Sequence, residues 1–144
     1  MTEKPTILLV DDEPDQAALV GEALKEEMDW DLRWVASGEA GIAYLAGKEP
    51  YTDRAAHPFP FFLLLDLKMP GMGGLGVLRW LRDHAGLTQA LIVVVHSSAE
   101  SSREIEVAAE LGAKIYWVKS DWRLLRQRIK LLISALEAHE KFRA

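Results

Sequence analysis

Three carboxylates stand where the chain changes character. Asp11 and Asp12 follow the apolar run Thr6 to Val10, and Asp66 follows the apolar run Phe61 to Leu65. A hydroxyl, Ser97, comes after the run Leu91 to Val95 and His96, and an ammonium, Lys119, closes the run Lys114 to Val118. Each alone has an ordinary explanation. Acids just before Pro14 suit the positive end of a helix, Ser97 suits a turn, and Lys119 suits a solvated loop. Together they make chemistry. Two carboxylates about 4 Å apart repel by roughly 4 kcal/mol at an effective dielectric near 20, so three in one place require a proton or a cation. Oxygen-only ligands suit Mg²⁺ or Mn²⁺. An ion held by a few carboxylates keeps positions open for phosphate oxygens, and Lys119 adds positive charge. Asp66 then has the place of a nucleophile toward a phosphoryl group, and Ser97 that of a hydrogen-bond donor to the acyl phosphate formed.

The surrounding elements decide whether these residues meet. Phe61 to Leu65 is too short for a helix core and fits a strand buried on both faces, stopped by Pro70 and Gly71 after Asp66. Thr6 to Val10 is the first strand. Ala17, Ala18, Val20, Leu24 and Met28 recur at helical spacing. Asp31 to Ala36 alternates polar and apolar, as a strand near a sheet edge does. Ser37 is an N-cap for a second helix reaching about Ala46. The segment 47–60 carries three prolines and mixed charge and reads as an irregular insertion. A third helix is expected from Leu75 to His84 and a fourth strand from Leu91 to Val95. Ser101 to Glu104 has the form of a capping box and opens a fourth helix that Gly112 ends. The fifth strand is Lys114 to Val118, and a long fifth helix runs from Trp122 to about Lys141. Strict alternation of strands and helices, with strongly apolar strands, predicts a doubly wound α/β fold: a five-stranded parallel sheet with helices on both faces. All strand carboxyl ends then share one edge, and Asp11, Asp12, Asp66, Ser97 and Lys119 converge there.

The 144 residues make one domain, with its core at about 6–136, the insertion at 47–60 and a charged helix end at 137–144; no output domain is expected. A net charge of −5 without a basic stripe argues against direct nucleic-acid binding. The absence of cysteine removes thiol chemistry and disulfides. The apolar runs are too short to span a bilayer and the N-terminus does not resemble a signal peptide, so a cytoplasmic location is expected.

As a set, LLVDDEP after the first strand, LLLDLKMPGMGG after the third, Ser97-Ser98 after the fourth and Tyr116-Trp117-Val118-Lys119 in the fifth resemble the receiver domain of two-component response regulators. The likeness covers nearly the whole chain and is nearest to stand-alone receivers that serve phytochrome-type kinases. It implies a flavodoxin-like fold, Mg²⁺ dependence, phosphoryl transfer from a histidine kinase and slow autodephosphorylation, without metabolic turnover. It implies that Asp66 is the phosphoacceptor. It likewise implies that Asp12 is the direct metal ligand, that Asp11 acts beside it through water, and that the Lys68 backbone carbonyl is a further ligand. Lys119 matches the invariant lysine. An ungapped count from Asp66 puts His96 at the hydroxyl position, whereas counting back from Lys119 puts Ser97 there. A hydroxyl is what the chemistry needs, so Ser97 is taken, with one extra residue before the fourth strand. Tyr116 matches the switch aromatic. The implied output is a partner protein or phosphotransfer protein, and a homodimer through the face of the fourth helix, fifth strand and fifth helix. Three departures stand out: Ser120 replaces the usual proline after the lysine, Gly73 replaces an Asp or Asn, and Lys68 puts a cation beside the phosphosite.

Rival readings are weaker. Gly71 to Gly76 fits G-x-G-x-x-G literally, but it follows the third strand and has no acid about 20 residues on at the next strand end. A haloacid-dehalogenase-type phosphatase needs D-x-D after the first strand, where this chain has Asp11-Asp12-Glu13. A degenerate, purely protein-binding receiver would not be expected to keep all of Asp12, Asp66, Ser97 and Lys119. His57, His84 and His139 read as surface residues, His96 as a strand end, and Trp117 and Trp122 as flanking the signalling face.

Overall fold

Short apolar strands too buried to face water on either side must be sandwiched by helices, and the chain does this. A computed structural model describes residues 5–25, 29–98 and 102–143, with side chains described as far as residue 137. The strands are β1 (Thr6–Val10), β2 (Asp31–Val35), β3 (Phe62–Leu65), β4 (Ile92–Ser97) and β5 (Ile115–Val118). The helices are α1 (Pro14–Ala23), α2 (Gly38–Ala46), α3 (Gly73–Asp83), a short α4 (Ala85–Thr88), α5 (Ser102–Glu110) and α6 (Trp122–Arg143). The strands form one parallel sheet in the order β2-β1-β3-β4-β5. β1 and β3 are wholly buried. β2 is an edge strand, as its alternating pattern requires.

Alternation along the strands divides the core in two. Leu8, Val10, Leu63, Leu65 and Val95 face one side, with Tyr44 and Leu45 of α2, Val77 and Leu78 of α3 and Ala108 of α5. Ile7, Leu9, Phe62, Leu64 and Val94 face the other, with Val20 and Ala23 of α1 and Leu125 and Ile129 of α6. Ser37 caps α2 by accepting from the Ala40 amide at 3.1 Å, and Gly47 ends that helix at φ 69°.

Several boundaries differ from expectation. α1 ends at Ala23 because Leu24 and Lys25 turn; Met28 lies outside the described residues, as does Ser101 of the expected capping box. α3 begins at Gly73, two residues early, because its first turn packs on the backbone leaving β3. β4 runs through His96 and Ser97, which are therefore strand residues that the sheet holds in register. The insertion folds on itself: Tyr51 and His57 pack on Tyr44, and Arg54 donates to the Leu45 and His57 carbonyls, so His57 is not a bare surface residue. His84 stacks on Trp80 at 4.1 Å. Trp117 packs on Phe62 on the α1/α6 side, away from the face of Tyr116. Among the described residues the one cis peptide is Glu49–Pro50, so Lys119–Ser120 is trans. No described helix is long and apolar enough to cross a membrane.

Candidate functional site

Where β1 and β3 end side by side, the sheet delivers acids. Asp11 is fully buried; its amide donates to the Val35 carbonyl at 3.2 Å, and its Oδ1 accepts from the Glu13 amide at 3.0 Å. Asp66 is 3% exposed, and its amide donates to the Val10 carbonyl at 3.0 Å, which fixes it beside Asp11. The Lys119 amide donates to the Ser97 carbonyl at 2.8 Å, carrying the register of β4 and β5 one residue past the strand. That brings the Lys119 ammonium inward. Its Nζ lies 3.1 Å from Asp11 Oδ2, 3.3 Å from Asp66 Oδ2 and 3.4 Å from Glu13 Oε1. Asp11, Asp12, Glu13 and Asp66 each offer a carboxylate oxygen, and these four oxygens lie within 4.8 Å of one another.

The electrostatics follow from burial and crowding. Desolvation pushes the Asp66 carboxyl up to about 6; Lys119 pulls it back and Asp11 pushes it further. Asp11 is raised as well, chiefly by burial, against the Glu13 amide and Lys119. Burial draws Lys119 down, but Asp66 and Asp11 outweigh it and the ammonium is held above its ordinary value. Four carboxylates against one ammonium leave the cluster short of positive charge. A hard divalent cation fits that shortfall and an all-oxygen donor set. Asp12, half-buried, and the exposed Glu13 leave the cluster open to solvent on one side.

The remaining expected residues fall around this centre. Strand register aligns Leu65 with Val95, so His96 comes abreast of Asp66, while Ser97 aligns with Val118 next to Lys119. Alternation turns the two apart: Ser97 shares the face of Val95 and Tyr116, and His96 that of Val94 and α6. Ser97 is 2% exposed and its Oγ has no hydrogen-bond partner among the described residues. Tyr116 is half-buried and its hydroxyl donates to the Ala113 carbonyl at 2.7 Å. The Lys68 amide reaches Asp66 Oδ1 at 3.4 Å, but its ammonium sits 4.0 Å from Glu104 Oε1 on α5. The glycines of the loop have a packing role. A Cβ on Gly74 would collide with the Asp66 carbonyl, and Gly71 adopts φ 77°.

Two residues at the site, Glu13 and Trp34, have no role in the sequence analysis, and a third, His96, is more than the strand end expected of it. Glu13 completes the acid cluster, and its position beside the two aspartates was the available signal. His96 is 1% exposed with neither ring nitrogen bonded among the described residues, and burial holds it down at about 4, with Lys119 and Arg128 adding to the effect. Trp34, at the end of β2, donates its indole N–H to the Asp11 carbonyl at 2.7 Å, a contact that no spacing rule exposes.

Comparison with known proteins gives the family and the fold. The family profile described as response regulator receiver domain matches residues 7–130. The response regulator Rcp1 of Synechocystis sp. is 31% identical over 127 residues, covering 88% of this chain and 82% of that protein. The phosphorylated cyanobacterial phytochrome response regulator RcpA superposes with a TM-score of 0.77 at 26% identity, covering 90% of this chain and 91% of that one. The Mn²⁺-bound form of Rcp1 superposes with a TM-score of 0.75 at 29% identity, covering 88% and 91%.

Proposed function

Because the chain belongs to the response regulator receiver domain family, we propose that it accepts a phosphoryl group on Asp66 from the phosphohistidine of a histidine kinase and signals through altered protein contacts. A carboxylate oxygen of Asp66 forms the new bond to phosphorus. The phosphorus–nitrogen bond to the donor imidazole breaks, and the imidazole leaves with its electron pair and takes a proton from water. Asp12 and Asp66 would hold Mg²⁺, with Asp11 beside them and the Lys68 carbonyl as a further ligand. When bound, the ion neutralises phosphoryl oxygens and lowers the cost of ionising Asp66. Lys119 stays with the transferred group as its fixed counter-charge. The Ser97 hydroxyl, without a hydrogen-bond partner among the described residues, turns to the acyl phosphate, and Tyr116, on the same sheet face, follows it inward and repacks the surface of α5, β5 and α6.

The single observation behind this reading is the Lys119 ammonium held between Asp66 and Asp11 inside a four-carboxylate cluster. The likeness to RcpA, a phytochrome response regulator by description, supports a phytochrome-type kinase as donor. The test is incubation with acetyl phosphate, with and without Mg²⁺, followed by intact-mass measurement. A gain of one phosphoryl that needs Mg²⁺ and disappears in Asp66→Asn is expected. Equal labelling of Asp66→Asn would overturn the assignment.

A further inference from the structure

A peptide plane beside the metal cluster is held from an unexpected quarter. The Asp11 amide is still in the sheet, donating to Val35, but the chain then leaves β1 and turns into α1. The Asp11 carbonyl belongs to the peptide that joins Asp11 to Asp12, so the tilt of that plane sets the aim of the Asp12 carboxylate. The indole N–H of Trp34 takes that carbonyl at 2.7 Å. Trp34 lies on the edge strand, one register step before the strand's end, and is 42% exposed. An indole that exposed contributes little to the core, so its placement is better explained by the bond it makes than by packing.

We propose that Trp34 is a positioning residue for the divalent cation, fixing the Asp11–Asp12 peptide so that Asp12 meets the ion without reorganising. The inference rests on the metal-dependent reading above and deepens it. Partners that orient a metal ligand from behind typically change affinity by 10- to 100-fold. Trp34 acts one step further back, through the main chain, so the lower end applies.

The experiment is Mg²⁺ binding to the full chain by calorimetry, comparing wild type with Trp34→Phe, which keeps a ring and removes the donor. The variant is expected to bind Mg²⁺ about ten-fold more weakly, with unchanged thermal unfolding in EDTA. Its labelling by acetyl phosphate should recover the wild-type maximum at saturating Mg²⁺, so that half-saturation moves and the maximum does not. In ¹⁵N-labelled wild type, the indole resonance lost in Trp34→Phe should shift along the same isotherm. Equal affinity in the variant, or an indole resonance that ignores Mg²⁺, overturns the positioning role alone. A wild type that binds no Mg²⁺ overturns the functional reading with it. If Trp34→Phe does not fold, the Trp34 indole resonance is assigned in the wild type by triple-resonance spectroscopy, and its Mg²⁺ titration decides.

Discussion

At the residue scale the chain places two titrations against each other. His96 is held down at about 4, so between the ordinary histidine value and that point the unfolded chain takes up a proton that the folded chain refuses. Its contribution to stability is present above about 6.5 and is lost as pH falls. Asp66 is held up at about 6, so over much of the same range the folded chain takes up a proton that the unfolded chain does not. Its burial costs stability at neutral pH and relents on acidification. The two therefore offset one another between roughly pH 6 and 4 when no metal is bound. Asp66→Asn removes one side. Urea unfolding in EDTA should find that variant more stable than wild type at pH 8, with the advantage shrinking as pH approaches 4.5. His96→Val should do the reverse to the pH profile, flattening the loss on acidification that remains in Asp66→Asn. How much of this was legible depended on the residue. Asp11, Asp12, Asp66 and Lys119 could be read because each ends an apolar run. Ser97 and His96 were ambiguous because their roles depend on the β3–β4 register, and a one-residue step exchanges the sheet faces. Trp34 was illegible because a bond between an indole and a carbonyl 23 residues away leaves no periodicity.

At the scale of elements, the fold was legible where strands are short, apolar and bounded by turn residues, and less so at helix ends. α1 shows why. It has no basic residue in its last turn. Its final carbonyls are met instead by Arg126 of α6, which reaches Ala23 at 2.9 Å and Glu22 at 2.7 Å while stacking on Trp122 at 4.7 Å. A cap supplied from more than 100 residues away cannot be read from the local sequence. Arg126→Met should destabilise the protein by about 1–3 kcal/mol in urea unfolding, because those carbonyls lose charged donors. Mg²⁺ affinity should stay unchanged, since α1 is gripped there at the end away from Asp12. Gly74→Ala tests a tighter contact. Its methyl would meet the Asp66 carbonyl, so α3 must withdraw. Both stability and the rate of acetyl phosphate labelling should fall, whereas Gly86→Ala, at a position open to solvent, should leave labelling alone.

At the scale of the whole molecule, one sheet face carries Ser97 and Tyr116 and the other carries His96 and Trp117. The outer surface near β5 and α6 shows apolar side chains, with Leu131 72% and Val118 46% exposed. The homodimer expected from the sequence would bury these side chains. Light scattering coupled to size exclusion should show a shift toward monomer in Leu131→Glu; an unchanged mass would remove the dimer from the reading. Lys119, which touches acids from β1 and β3, is delivered by β5, the fifth of these strands in chain order, and Asp11 by β1, the first. A ribosome-bound fragment ending before β5 holds the acids without their ammonium. Under the proposed function, the contact that joins β5 to the acids of β1 and β3 is also the one that completes the charge balance of the site, so closing the fold and arming it are one event.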